Sequence, residues 1–90
     1  MSNPERIEKI RARLQEALQP EALDIRDDSH LHVGHPGARD GRGHFHVRIV
    51  AQAFEGQRTL ARHRQVYEAL DSLMESDIHA LQIQAQTPDE

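Results

Sequence analysis

The sequence predicts an α+β fold, αββααβ in order, with a three-stranded mixed sheet and helices packed on one face of it. Three observations carry this. Apolar residues recur at a helical stride from Ile7 to Leu18, two-residue alternation marks three short segments, and a second helical stretch separates the last two of these. A strand–helix–strand connection is parallel and right-handed by the usual handedness of crossovers, while the two strands before it can pair antiparallel.

The first helix begins either at a capping box of Ser2 and Glu5 or at Asn3 with Pro4 in the first helical position. Ile7, Ile10, Leu14, Ala17 and Leu18 share one face, Glu5 and Lys9 form a favourable four-residue pair, and Pro20 ends the helix. Leu23 and Ile25, alternating with Asp24 and Arg26, read as a short strand. Phe45, Val47 and Ile49 alternate with His44, His46 and Arg48, a strand buried on one face whose histidines are expected in solvent. Phe54-Glu55-Gly56 closes it. The second helical stretch runs from about Arg58 to Met74, with Leu60, His63, Tyr67, Leu70 and Leu73 or Met74 on its inner face and a break near Arg62–Arg64 left open. The last strand, Ala80 to Gln86, turns Leu81, Ile83 and Ala85 inward and three glutamines outward before Thr87-Pro88.

Ninety residues, with no internal repeat or linker, suit a single domain over 1–90 with an economical core. Hydrophobic residues make up 37 %, and Phe45, Phe54 and Tyr67 are the aromatics, so Leu, Ile, Val and Ala must fill most of the interior. Eleven basic against fifteen acidic residues give a formal charge of −4, which argues against attachment to nucleic acid by bulk charge, although ten of the eleven are arginines and local clusters remain available. No apolar run approaches the ~20 residues needed to span a bilayer. The N-terminus lacks a signal-peptide core, and a cytoplasmic chain is expected. The absence of cysteine excludes disulfides, thiolate zinc sites and a self-contained iron–sulfur cluster.

Histidine is the unusual component: there are seven, five of them between His30 and His46. Residues 27–43 form a long connection that holds four of the five glycines together with His30, His32 and His35, and connections of this length are often functional or mobile. Three imidazoles there can converge on one metal ion or simply face water. His79 stands just before the last strand, as a ligand presented at the sheet edge or as a polar residue at the strand's start. Arg58, Arg62 and Arg64 lie toward the start of the second helical stretch, as a grip for phosphate or a partner's carboxylates or as a solvated helix face. There is no G-x-S-x-G nucleophile elbow, no phosphate-binding glycine loop and no Cys–His pair, so catalysis is not indicated.

With these residues in view, the chain resembles the BolA family from Arg6 to Pro88. The resemblance rests on Asp27-Asp28-Ser29 followed by His32 and Gly34-His35, on His44-Phe45 and Phe54-Glu55-Gly56, and on Arg62-His63-Arg64-Gln65-Val66-Tyr67, His79-Ala80-Leu81 and Thr87-Pro88. It implies a fold similar to a type II KH domain and a non-enzymatic role as partner of a monothiol glutaredoxin. In such a complex a [2Fe–2S] cluster bridges the two proteins, with the glutaredoxin cysteine and glutathione giving the sulfur ligands. The implied ligands from this chain are His79 and, from the connection between the first two strands, His32, with His35 as the alternative. Two histidines without a thiol cannot complete the coordination of two irons, so the partner is required by the ligand count. Imidazole in place of thiolate raises the reduction potential and makes assembly depend on pH. Cluster trafficking or iron and redox regulation is then expected of a chain that is monomeric when alone. The alternative implied by the KH-like, helix-turn-helix-like surface is a DNA-binding transcriptional regulator using Arg58, Arg62 and Arg64.

Overall fold

The computed structural model of the chain describes residues 3–28 and 43–90. The elements follow in the order α1 (Asn3–Leu18), β1 (Ala22–Asp27), β2 (Gly43–Val50), a 3₁₀ turn (Gln52–Phe54), α2 (Thr59–Leu70), α3 (Leu73–Ser76) and β3 (Ile78–Gln86). The strands form a mixed sheet in the order β1-β2-β3, antiparallel between β1 and β2 and parallel between β2 and β3. The α+β arrangement expected from the sequence is therefore the observed one.

The core lies between the helices and one face of the sheet. Ile10, Leu14 and Leu18 of α1 meet Phe45, Val47 and Ile49 of the central strand, with Phe54, Val66, Leu70, Leu73 and Ile78 completing the layer. Register explains the match. Leu23, Ile49 and Ala85 align across the three strands, as do Ile25, Val47 and Ile83, so each row puts apolar side chains on the same side of the pleat. The opposite face carries Asp24, Arg48, Gln82 and Gln84, all exposed. Gln19, at φ 47°, takes the chain out of α1 ahead of Pro20, and Gly56 supplies the positive φ of 76° in the turn before α2.

Three expectations are corrected here. The helical break falls after Leu70, at Asp71 (φ 46°), and not near Arg62–Arg64. The buried face of α2 is Val66 and Leu70, whereas Leu60 and Tyr67 are exposed. Ala17 of α1 is exposed as well. The reason in α2 is a tertiary contact that turns Arg62 inward. Its Nε donates to the Gln57 carbonyl at 2.8 Å and its Nη1 to the Ala85 carbonyl at 3.1 Å. The same guanidinium grips both Glu90 carboxylate oxygens at 2.6 and 3.0 Å.

This clamp closes the segment after β3 against α2, since Thr87 N–H also donates to Glu90 Oε1 at 2.7 Å. The Arg62 hydrogen bond, followed by the Thr87 N–H, pulls the Glu90 carboxyl down to about 2. A carboxyl lowered by folding stabilises the fold above its unfolded range and loses that contribution as pH falls toward the folded value. Carbon-detected NMR titration is expected to find Glu90 near 2 in the wild-type chain and raised toward the ordinary ~4.3 in Arg62→Ala, where the Thr87 N–H still holds it partly down.

Candidate functional site

The start of β2, the start of β3 and the end of β1 meet at one end of the sheet. Asp28 N–H donates to the His44 carbonyl at 2.8 Å, and Gly43 N–H donates to the Asp77 carbonyl at 3.0 Å. Asp28 and Gly43, the described residues that flank positions 29–42, therefore both lie at this end. His30, His32 and His35, among which the loop ligand was expected, lie outside the described residues.

His79 occupies a defined irregularity. Gly43 aligns with Ile78, but the next residue of β2, His44, aligns with Ala80, so His79 is one extra residue on β3. A bulge of this kind re-aims a side chain out of the regular alternation and is common beside functional sites. The alternation shows the effect: Ile78 is buried in the core, while His79 and Ala80 are both exposed before Leu81 turns back inward.

His44 departs from expectation. Alternation along β2 places it on the outer face with His46 and Arg48, yet it is only 6 % exposed. It is covered because the outer face is crowded at this end. The His44 and His79 ring centroids are 5.0 Å apart with the planes inclined at 51°. Asp28, His44, Phe45, Ala80 and Gln82 line a concavity of about 60 Å³ beside the pair. The Asp28 carboxylate accepts from Arg26 Nε at 2.9 Å and Nη2 at 3.4 Å, which ties the end of β1 to the same corner. His46, half-buried, is two residues further along the strand.

Asp77 was not singled out by the sequence, where only the adjacent Ser76 hints at a local hydrogen bond. It is 4 % exposed. Its Oδ2 lies 3.5 Å from Lys9 Nζ and 3.7 Å from Arg6 Nε, and its Oδ1 accepts from Ser76 Oγ. These contacts fasten the segment before His79 to the first turns of α1. Desolvation opposes ionisation of Asp77, but the Ser76 hydrogen bond and the charges of Lys9 and Arg6 outweigh it and hold the carboxyl below its ordinary value. Such a group stabilises the fold fully above the unfolded carboxyl range near ~4 and progressively less below it. Asp77→Asn is expected to cost about 1–3 kcal/mol at pH 7 in urea unfolding, and less as pH falls below that range.

Among the described residues, no group of three or more His, Asp or Glu side chains is arranged to hold a metal ion. His79 fits the part of a single ligand offered outward, in keeping with a metal group whose other ligands come from elsewhere. The arginines diverge. Arg58 and Arg64 are exposed, but Arg62 is committed to Glu90, Gln57 and Ala85. No helix among the described residues is long and apolar enough to cross a membrane.

Known proteins agree with the architecture. The chain is 46 % identical over 79 residues to BolA-like protein 1 of Mus musculus, covering 88 % of this chain and 56 % of that protein. It is 41 % identical over 87 residues to SufE-like protein 1, chloroplastic/mitochondrial, of Arabidopsis thaliana, covering 91 % of this chain and 24 % of that protein. The chain thus spans about a quarter to just over half the length of these relatives. Among solved structures, the BolA domain of SufE1 from Arabidopsis thaliana superposes with a TM-score of 0.83 at 37 % identity, covering 99 % of this chain and 96 % of that one. BolA1 from Arabidopsis thaliana superposes with a TM-score of 0.81 at 37 % identity, covering 100 % and 98 %. The family model for BolA-like proteins matches residues 14–90, and with that match the chain belongs to the BolA-like family.

Proposed function

We propose that this BolA-like chain is a non-enzymatic iron–sulfur adaptor or regulator that acts with a monothiol glutaredoxin in the cytoplasm, in cluster trafficking or in iron and redox regulation. The observation that carries the reading is His79: an exposed imidazole re-aimed by a bulge, at the end of the sheet where Asp28 and Gly43 also lie. In this reading His79 is one ligand to a shared [2Fe–2S] cluster and His32, or alternatively His35, is the second. The partner's cysteine and glutathione supply the sulfur ligands. A bound cluster would contribute electron-transfer and sulfide chemistry. This chain's part is to offer imidazoles, which bind iron only when deprotonated, with His79 held on β3 beside the central strand. The family membership and the lack of any cysteine both support a shared rather than a self-contained centre.

The test is a visible circular-dichroism titration of the chain into a glutathione-loaded [2Fe–2S] monothiol glutaredoxin homodimer. A new spectrum that saturates at one chain per glutaredoxin is expected. No spectral change at micromolar concentrations overturns the reading and leaves DNA binding through the exposed Arg58 and Arg64, recognised by its steep salt dependence.

A further inference from the structure

We infer that His44 is the positioning residue of His79, setting the direction in which that imidazole is offered. The inference rests on the proposed role of His79 as a ligand and adds a residue that the family resemblance did not assign to any role.

A bulged residue at the start of an edge strand lacks the ladder pairing that restrains its neighbours. An exposed histidine there samples several rotamers unless something packs against it. His44 supplies that contact. It is on the central strand, it is almost wholly buried, and its ring centroid is 5.0 Å from that of His79 at an inclination of 51°. A tilted arrangement at this separation is within the preferred range for ring pairs. The strand beneath it is the most constrained in the molecule, because β2 pairs on both sides and Phe45, the next residue, is in the core. Backbone anchors hold both rings' segments: Gly43 N–H on the Asp77 carbonyl and Asp28 N–H on the His44 carbonyl. The result is a rigid imidazole that limits the rotation of an exposed one. Groups that orient a metal-ligating histidine commonly change metal affinity ten- to a hundredfold when removed.

The test uses His44→Ala, His44→Phe and His79→Ala in the full chain. In the chain alone, three-bond NMR couplings report the χ1 rotamer of His79. One dominant rotamer is expected in the wild type, averaging in His44→Ala, and recovery in His44→Phe, which restores a ring at the contact. In the mixed complex with glutaredoxin, assembly is expected to weaken about ten- to a hundredfold in His44→Ala and to recover in His44→Phe. Couplings and assembly that match the wild type in His44→Ala overturn the inference. A folded His44→Phe chain that assembles as poorly as His44→Ala also overturns it, because the imidazole nitrogen and not the ring contact would then be needed. Unchanged cluster spectra in His79→Ala defeat the ligand reading itself, a separate failure from a change in the rotamer of the isolated chain.

Discussion

His79→Ala is expected to abolish the cluster spectrum of the mixed complex while the chain stays folded. The two halves of this result have separate physical causes. His79 is an exposed, extra residue at the start of β3, so removing its ring opens no cavity in the core, and surface changes of this kind usually cost less than about 0.5 kcal/mol. For a domain of this size that corresponds to a melting shift of no more than roughly 4 °C. The loss of a ligand, in contrast, removes a coordinate bond, and the described residues contain no group of three or more His, Asp or Glu side chains arranged to hold a metal ion in its stead. His79→Cys separates the two effects further: thiolate in place of imidazole is expected to keep the cluster and lower its reduction potential. Visible circular dichroism and a redox titration read both variants. A His79→Ala complex with the wild-type spectrum would remove His79 from the ligand set.

How far the sequence shows this site depends on which interactions place each residue. The histidine at position 79 is conspicuous before a run of alternating Leu81, Ile83 and Ala85, and the strand itself is legible from that alternation. The bulge is not legible, because it exists only in the register of β3 against β2, two segments joined through α2 and α3. The burial of His44 is hidden for the same reason: alternation assigns a face, while the neighbours there are His79 of β3 and Asp28, which follows β1 and lines the same concavity. In α2 the ladders Leu60–His63–Tyr67–Leu70 and Arg62–Val66–Leu70 both satisfy a helical stride. The second is the one turned inward, because Arg62 finds carbonyl and carboxylate partners at Ala85 and Glu90, more than twenty residues away. The turn at Asp71-Ser72 carried a signal in its short polar residues that stride alone overrides. Asp77 joins Arg6 and Lys9 across nearly the whole chain, a pairing with no trace in local sequence.

The largest effect on stability is expected from Phe45→Ala. The sequence contains two phenylalanines, and both are buried, Phe45 at 2 % and Phe54 at 0 % exposure. Apart from Phe54, the buried apolar core among the described residues is aliphatic, so only smaller side chains border much of the space that Phe45 leaves. It also lies on the central strand, aligned with Asp27 on one side and Leu81 on the other, where neighbouring backbones are held by ladders on both edges and collapse is restricted. Truncation of a buried Phe under such restraint costs about 3–5 kcal/mol, a large share of the ~5–15 kcal/mol that stabilises an ordinary domain. Phe45→Leu keeps most of the volume and is expected to cost well under half as much. Urea unfolding should show the Phe45→Ala midpoint lowered by on the order of 2–4 M, with little change in slope. The loss should carry through to the His79 end of the sheet, since Phe45 lines the concavity beside His44. Phe45→Ala is therefore expected to impair cluster sharing through the fraction of chain folded, whereas His79→Ala impairs it at full folding. A Phe45→Ala cost below about 1.5 kcal/mol would mean that the core relaxes around the missing ring and that the central strand is less constrained than its pairing implies.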